Sequence, residues 1–145
     1  MKIALGCDHG GFELKQEIVA LLNELKVEYT DFGTHSQDAV DYPDYAFKVA
    51  EGITTGEFDR GILICGTGIG ISIAANKVKG IRCALVHDVF SAKATREHND
   101  SNVLAMGGRV IGPSLARLIV ETWLGAEFMG AHHSNRIDKI KKYEK

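Results

Sequence analysis

Short apolar runs alternate with helix-like segments about five times along the sequence, and this alternation limits the fold more than any other feature. Residues 3–7, 61–65 and 102–106 are runs of this kind. Strands that are apolar on both faces are typical of parallel sheets that helices cover on each side. The sequence therefore predicts an α/β fold: one Rossmann-like domain over residues 1–145, with three layers (α/β/α) and a five-stranded parallel sheet.

Charge and cysteine content exclude several classes of protein. A formal net charge of −2 over 145 residues gives no basic excess for nucleic acid or an anionic membrane, so we expect a small-molecule ligand. No apolar run approaches the roughly 18 residues that a membrane helix needs. Three cysteines without C-x-x-C spacing argue against a disulfide framework and a structural zinc site. We expect a cytoplasmic protein without a signal peptide.

Residues 61–72 join an apolar strand to a helix through alternating glycines, and Cys65 stands at the tip of the strand. The first turn of a helix has unpaired N–H groups and the positive end of the helix dipole, so this turn is suited to bind an anion. A thiolate is also an anion that the dipole stabilises. The stretch predicts a catalytic thiolate beside an anion hole. The alternative is that Cys65 packs as a small apolar side chain, which is the role we expect for Cys7 and Cys83.

Several polar residues stand at the predicted carboxyl ends of the other strands. In an open α/β sheet ligands bind at this edge, so these residues are expected to converge on one crevice with Cys65. For Asp8 and His9 the alternative is capping of the first helix. The residues are Asp8, His9, His87, Asp88 and Arg109.

Two further polar clusters have alternative explanations. His98, Asn99 and Asp100 end a helical segment, where they serve either proton transfer or turn formation. Arg109, Arg136 and the tail histidines form either a phosphate site or solvated surface charge. His132 and His133 are adjacent and point apart, and no carboxylate stands at ligand spacing, so we expect no metal.

The glycine turn also suggests a nucleotide-binding module without catalysis. Asp88, at the end of the next strand, is the acidic residue that such a module uses. However, the spacing is G-x-G-x-G rather than G-x-G-x-x-G, and no Gly-Lys-Ser or Gly-Lys-Thr follows. Nucleotide binding therefore remains the alternative from a different functional class.

Taken together, six segments give the chain a resemblance to the family of type B ribose-5-phosphate isomerases, which also holds the galactose-6-phosphate isomerase subunits. This resemblance implies a cofactor-free enzyme that interconverts ribose 5-phosphate and ribulose 5-phosphate, or acts on a six-carbon substrate such as allose or galactose 6-phosphate. The segments are GCDHGG at 6–11, DYP at 41–43, ICGTGIG at 64–70, SIAANK at 72–77, HND at 98–100 and GGRV at 107–110.

The resemblance also implies the catalytic roles. The Cys65 thiolate would move a proton between C2 and C1 through a cis-enediolate, with Thr67 assisting exchange between O1 and O2. His98 would open the sugar ring as an acid–base group. Some members use a glutamate at position 69; Ile69 stands there, which leaves Cys65 as the evident base. The amides expected to stabilise the enediolate belong to the stretch from Gly66 to Ser72, which includes Gly68, Ile69 and Gly70.

Substrate binding follows from the same resemblance. Asp8, Tyr42 and Asn99 would bind hydroxyl groups or the enediolate. The phosphate would be bound by His9, Arg109, Arg136 and His132, where position 132 is arginine in some members.

The end of the chain, at about residues 133–145, is predicted to form a last helix with Ser134 as its cap. Its apolar face, Ile137 and Ile140, is weak, so we expect the helix to pack on a partner subunit. The resemblance implies homodimers or dimers of dimers that share their active sites. His98, Asn99 and tail residues would then act on Cys65 of the partner subunit.

Overall fold

The computed structural model describes residues 1–144, which form one sheet with helices on both faces. The strands are all parallel, in the order β2-β1-β3-β5-β4, so the predicted five-stranded parallel α/β fold is confirmed. The strands are β1 (Lys2–Cys7), β2 (Glu28–Asp31), β3 (Arg60–Cys65), β4 (Cys83–Leu85) and β5 (Val103–Gly107). The helices are α1 (Phe12–Glu24), α2 (Tyr42–Thr54), α3 (Ile69–Asn76), α4 (Val89–Asn99), α5 (Pro113–Gly125) and α6 (His132–Tyr143), with a 3-10 turn at His9–Gly11.

Two apolar cores lie on opposite faces of the sheet. Helices α1, α4 and α5 pack together on one face, and α2 packs on α3 on the other. Alternate strand residues supply the two cores: Ile62 and Ile64 face the first, whereas Leu63 and Cys65 face the second. This period of two explains why the strands have apolar residues at every position.

The order of the strands places a crevice between β1 and β3. From β1 the chain crosses to the edge strand β2, and it then returns to β3 on the other side of β1. Successive connections leave in opposite directions at this point, so the carboxyl ends of β1 and β3 are not covered by a crossover. Asp8 and Cys65 are therefore placed side by side at the edge where a ligand binds.

The last helix begins at His132, close to its predicted start near residue 133, but its cap differs from the prediction. Ala131 is its N-terminal flanking residue, without a side-chain cap. Ser134 lies within the first turn and its amide donates to the Ala131 carbonyl at 3.1 Å, so the prediction of Ser134 as the cap was wrong. Ile137 is buried within the chain, whereas Ile140 and Tyr143 are exposed.

None of the helices within residues 1–144 is long and apolar enough to cross a membrane.

Candidate active site

Cys65 is the last residue of β3, and the residue is 5% exposed. It packs in the α2–α3 core, as the packing alternative expects. Its sulfur also accepts a hydrogen bond from the Gly68 amide at 3.1 Å. Gly68 is the N-cap of α3, so the sulfur lies at the positive end of that helix. An amide donor and the positive end of a helix thus meet at the Cys65 sulfur.

The glycine turn uses some of its amides internally and leaves others free. The Ile69 amide donates to Thr67 Oγ1 at 3.1 Å, and the Ser72 amide donates to the Gly68 carbonyl at 3.2 Å. The Ser72 hydroxyl donates to the Ile69 carbonyl at 2.7 Å. The amides of Gly70 and Ile71 have no acceptor within residues 1–144. These two first-turn amides, together with the amides of Gly66 and Thr67, which also have no acceptor within residues 1–144, are the donors left for an anion.

Asp8 and Tyr42 border the same turn from two sides. Asp8 Oδ1 accepts the amides of Gly10 at 2.9 Å and Gly11 at 3.2 Å, so its predicted capping role is real. The Tyr42 ring packs against Gly70, since a Cβ built on that glycine would lie 2.7 Å from Cζ and 3.0 Å from the hydroxyl oxygen. A carboxylate and a phenol thus stand near the free amides of α3.

A pocket of about 270 Å³ lies beside the turn at the ends of β1 and β5. The Arg109 guanidinium reaches over Gly66, because a Cβ on that glycine would lie 3.2 Å from Arg109 Nη1. His9 Nδ1 accepts the Val40 amide at 3.2 Å, so the ring proton is on Nε2. A cation and an imidazole N–H suit a phosphate. The lining residues are His9, Gly10, Glu13, Gln37, Gly108 and Arg109.

His87 and Asp88 also lie at this edge, but both have structural partners. His87 Nε2 accepts the Gly107 amide at 2.9 Å, and burial lowers the pKa of His87. Asp88 caps α4 by accepting the Ser91 amide at 2.7 Å, and this hydrogen bond lowers the pKa of Asp88. The acidic residue that favoured nucleotide binding therefore serves as a helix cap.

Four of the predicted site residues lie elsewhere, at the amino edge of the sheet: His98, Asn99, His132 and Arg136. Helix α4 begins beyond the carboxyl end of β4 and ends before β5, so its last turn lies at the opposite edge from Cys65. The Asn99 carbonyl accepts Arg82 Nε at 3.0 Å, and Arg82 directly precedes β4. The six residues of β3 separate the two edges by about 17 Å. Within one chain, His98 therefore does not contact Cys65.

The amino-edge residues form a cluster of their own around His133. The rings of His98 and His133 stack at 4.5 Å with 15° between their planes, and His132 and His133 lie 4.0 Å apart. His133 is buried, and this burial, together with the neighbouring His132, His98 and Arg136, lowers the pKa of His133. The lowered pKa favours the neutral form of His133, whose ring stacks on the exposed ring of His98. Within residues 1–144, no group of three or more His, Cys, Asp or Glu side chains is arranged to hold a metal ion.

The turn after α4 contains contacts that the sequence did not predict. Asp100 has a left-handed backbone and accepts Arg96 Nη1 at 2.8 Å and Arg82 Nη2 at 3.4 Å. Asp100 therefore supports the turn alternative for the 98–100 cluster. A groove of about 910 Å³ lies beside this turn, between α3, α4 and α6, at the edge away from Cys65.

The chain is similar in sequence and fold to known sugar-phosphate isomerases. Ribose-5-phosphate isomerase B of Escherichia coli is 55% identical, over 99% of this chain and 96% of the relative. The D-erythrulose-4-phosphate isomerase of Pectobacterium atrosepticum is 43% identical, over 99% of this chain and 95% of the relative. The structure of Clostridium thermocellum ribose-5-phosphate isomerase B superposes with a TM-score of 0.98 at 56% identity, covering 99% of this chain and 97% of that one. The sequence profile described as Ribose/Galactose Isomerase matches residues 3–140, and the chain therefore belongs to this family of sugar isomerases.

Proposed function

We propose that this protein is an aldose-ketose isomerase that interconverts ribose 5-phosphate and ribulose 5-phosphate. The observation that carries the proposal is the Cys65 sulfur at the N-terminus of α3, with free amides beside it and a pocket lined by His9 and Arg109 close by. A base, an anion hole and a phosphate site are the three parts that proton transfer on a sugar phosphate needs. No cofactor takes part in this scheme.

The proton transfer is assigned to Cys65. The thiolate removes the C2 proton of the open-chain aldose, and the electrons of that C–H bond form the C1–C2 double bond of a cis-enediolate. The amides of Gly70 and Ile71 face the negative oxygen, and each well-aimed donor contributes about 3 kcal/mol. The thiol then returns the proton to C1. Thr67 moves a proton between O1 and O2. Its hydroxyl oxygen accepts the Ile69 amide, and its hydroxyl hydrogen has no acceptor within residues 1–144.

Ring opening is assigned to His98 with Asp8. Ribose 5-phosphate is mostly a closed furanose, so an acid–base group must first open the ring. Asp8 uses Oδ1 for its two amide contacts, which leaves Oδ2 for a sugar hydroxyl. His98 lies at the amino edge of the sheet, and Cys65 lies at the carboxyl edge, about one strand length of 17 Å away along β3, so the proposal requires His98 of the partner subunit. Asn99, His132 and Arg136 of the partner subunit would enter the same site.

An exposed apolar surface beside the glycine turn supports a homodimer. A Cβ on Gly68 would lie 2.6 Å from Leu85 Cδ1, so Leu85 borders the turn. Ile69, Ile73, Leu85 and Phe90 are 40% to 80% exposed, which is unusual for large apolar side chains so close to a site. A second copy would cover them and add its amino-edge cluster to the Cys65 site. The assembly is then a dimer or a dimer of dimers, in which part of α6 faces the partner.

Subunit mixing tests the shared site directly. Cys65→Ala should abolish isomerisation of ribose 5-phosphate, and His98→Gln should reduce it to the small rate of the open-chain fraction. Unfolding and refolding an equal mixture should restore about a quarter of wild-type activity, because half the dimers are mixed and each has one intact site. Mixing Cys65→Ala with Cys65→Ser is the matched control and should restore none. A first mixture as inactive as the control would reject the shared site, and an active Cys65→Ala variant would reject the base.

The size of the sugar is the second question, because the family description names ribose and galactose and one relative is named for a four-carbon substrate. Values of kcat/KM on five-carbon and six-carbon phosphates distinguish the proposal from an allose or galactose 6-phosphate isomerase. A four-carbon phosphate adds a test of ring opening. Its O4, the oxygen that would close a furanose ring, bears the phosphate, so no furanose forms. His98→Gln should retain activity on D-erythrulose 4-phosphate in proportion to the wild type while losing activity on ribose 5-phosphate.

The surroundings of the cysteines fit the proposed setting. Cys7, Cys65 and Cys83 are all free thiols, and burial raises the pKa of both Cys7 and Cys83 to about 12. Free thiols suit a reducing compartment such as the cytoplasm. The nucleotide alternative predicts binding heat with NAD or ATP, and we expect none in a calorimetric titration.

A further inference from the structure

Lys15 is a fully buried lysine that the proposed reaction does not use. It is the fourth residue of α1, and its ammonium donates to Asp31 Oδ1 at 3.0 Å and to the Thr34 carbonyl. An ammonium without exposure to water costs several kcal/mol unless it is paired and hydrogen-bonded. The two acceptors meet that need. In some proteins such a costly group fixes one particular arrangement of the chain around it.

The arrangement that Lys15 fixes is the start of the segment from residue 32 to residue 41, which has no helix or strand. Asp31 Oδ1, which holds the ammonium, also accepts the Gly33 amide at 2.9 Å. The Thr34 amide donates to the Cys7 carbonyl at 2.7 Å. The buried ion pair therefore ties the first residues of the segment to the end of β1 and to α1.

The far part of the same segment contacts the proposed phosphate pocket. Gln37 lines the pocket, and its Nε2 donates to Glu13 Oε1 at 2.9 Å. The Val40 amide donates to His9 Nδ1 at 3.2 Å. A free imidazole exchanges between its two neutral tautomers, but an N–H aimed at Nδ1 selects the one with its proton on Nε2. That proton is then available to a phosphate oxygen.

We propose that Lys15 is a positioning residue for phosphate binding: by bonding Asp31 and Thr34 it holds the 32–41 segment, whose Val40 amide keeps His9 as the Nε2–H donor. The inference rests on the proposed function only for the identity of the anion. It assigns Lys15 no contact with substrate. The same proton assignment leaves His9 one ring N–H for phosphate, at Nε2, while the Arg109 guanidinium supplies positive charge to the pocket.

Lys15→Met tests this inference, since methionine keeps most of the length and removes the charge and the donors. We expect KM for ribose 5-phosphate and the inhibition constant of inorganic phosphate to rise about tenfold, with kcat within about threefold of wild type. In ¹⁵N-histidine spectra the His9 signals should change from one tautomer to a mixture. Lys48→Met, the same change at an exposed lysine of α2, is the control and should alter neither quantity.

A double variant separates positioning from simple packing. In a His9→Asn background, Lys15→Met should add less than about twofold to either constant, because the residue through which it acts is gone. If Lys15→Met lowers the melting temperature but leaves KM, the phosphate constant and the His9 spectrum unchanged, Lys15 is only a core residue and the inference is wrong. An equal effect with and without His9 would also overturn it.

A second variant tests the inference even if Lys15→Met fails to fold. Val40→Pro removes the amide that donates to His9 Nδ1 and leaves the buried ion pair intact, and it should reproduce the tenfold rise and the mixed tautomers. Unchanged constants and spectrum in Val40→Pro would overturn the inference by themselves. The phosphate constant can be measured by binding, so failure of the proposed isomerase activity would appear separately, as a wild-type protein that binds phosphate and turns over no sugar phosphate.

Discussion

Gly68 is the position at which a single added methyl group tests the anion hole. Its φ is +78°, in the left-handed region, and its amide donates to the Cys65 sulfur. A Cβ there would lie 2.7 Å from the carbonyl carbon of Met106, whereas ordinary contact begins near 3.4 Å. Leu85, at 2.6 Å, is partly exposed and can rotate away. Met106 belongs to a central strand, so the turn itself must move by about 0.7 Å.

Two costs follow for Gly68→Ala. The left-handed backbone costs about 1 to 2 kcal/mol for a residue with a Cβ, and forcing a group into a packed site costs about 1 to 3 kcal/mol. The variant should lose about 2 to 5 kcal/mol of unfolding free energy, which lowers the melting temperature of a domain this size by about 5 to 15 °C. Because the amide beside the sulfur moves with the turn, kcat should fall about 100-fold. KM should change little, since His9 and Arg109 follow other strands.

Gly56→Ala is the matched control. Gly56 has nearly the same φ, +82°, but an added Cβ would find no atom within 4 Å. This variant has the backbone cost alone, about 1 to 2 kcal/mol, and should keep full kcat. Thermal unfolding and initial rates on ribose 5-phosphate measure both variants. If Gly68→Ala matches Gly56→Ala in melting temperature and retains kcat, the turn is not packed as described and its amides do not determine the rate.

Two further predictions concern stability. The lowered pKa values of His87 and His133 mean that the unfolded chain binds more protons below about pH 6.5, so stability should be constant above that pH and fall as pH decreases through it. Urea unfolding from pH 7.5 to 5.5 measures the slope, His133→Phe should reduce it, and a flat profile would contradict the assignment. Asp100→Asn keeps a side chain that tolerates the left-handed backbone but removes the charge facing Arg96. Because the Asp100 side chain is 39% exposed, this should cost about 0.5 to 1 kcal/mol, against almost nothing for the exposed Asp138→Asn.

The carboxyl-edge part of the site could be predicted from the sequence because position in a strand determines position in a parallel sheet. Asp8 and Cys65 each end an apolar run, and such ends converge once the strands are parallel. The glycines after Cys65 similarly required a tight turn before α3. These inferences use only local pattern and one general rule of α/β folds.

The rest depended on partners distant in the chain, which local pattern does not show. Lys15 can lie on the buried side of α1 because Asp31 and Thr34 accept its hydrogen bonds. No sequence motif at either residue predicts these contacts. Val40 selects the His9 tautomer through a backbone amide, which any residue type supplies. The cap of α6 was predicted wrongly because Ser134 has a favourable capping side chain, whereas the chain turns into the helix at Ala131, which has no capping group.

The separation of Cys65 from His98 follows from the direction of α4 and has a chemical consequence. A helix that connects parallel strands runs back along the sheet, so a residue in its last turn lies at the amino edge, one strand length from any residue that ends a strand. Under the proposed mechanism, an isolated chain would have the base and the anion hole but no group to open the ring. It would isomerise only the small open-chain fraction of ribose 5-phosphate, while a substrate that cannot cyclise would escape this restriction. Association of two chains would therefore add a catalytic step as well as stability.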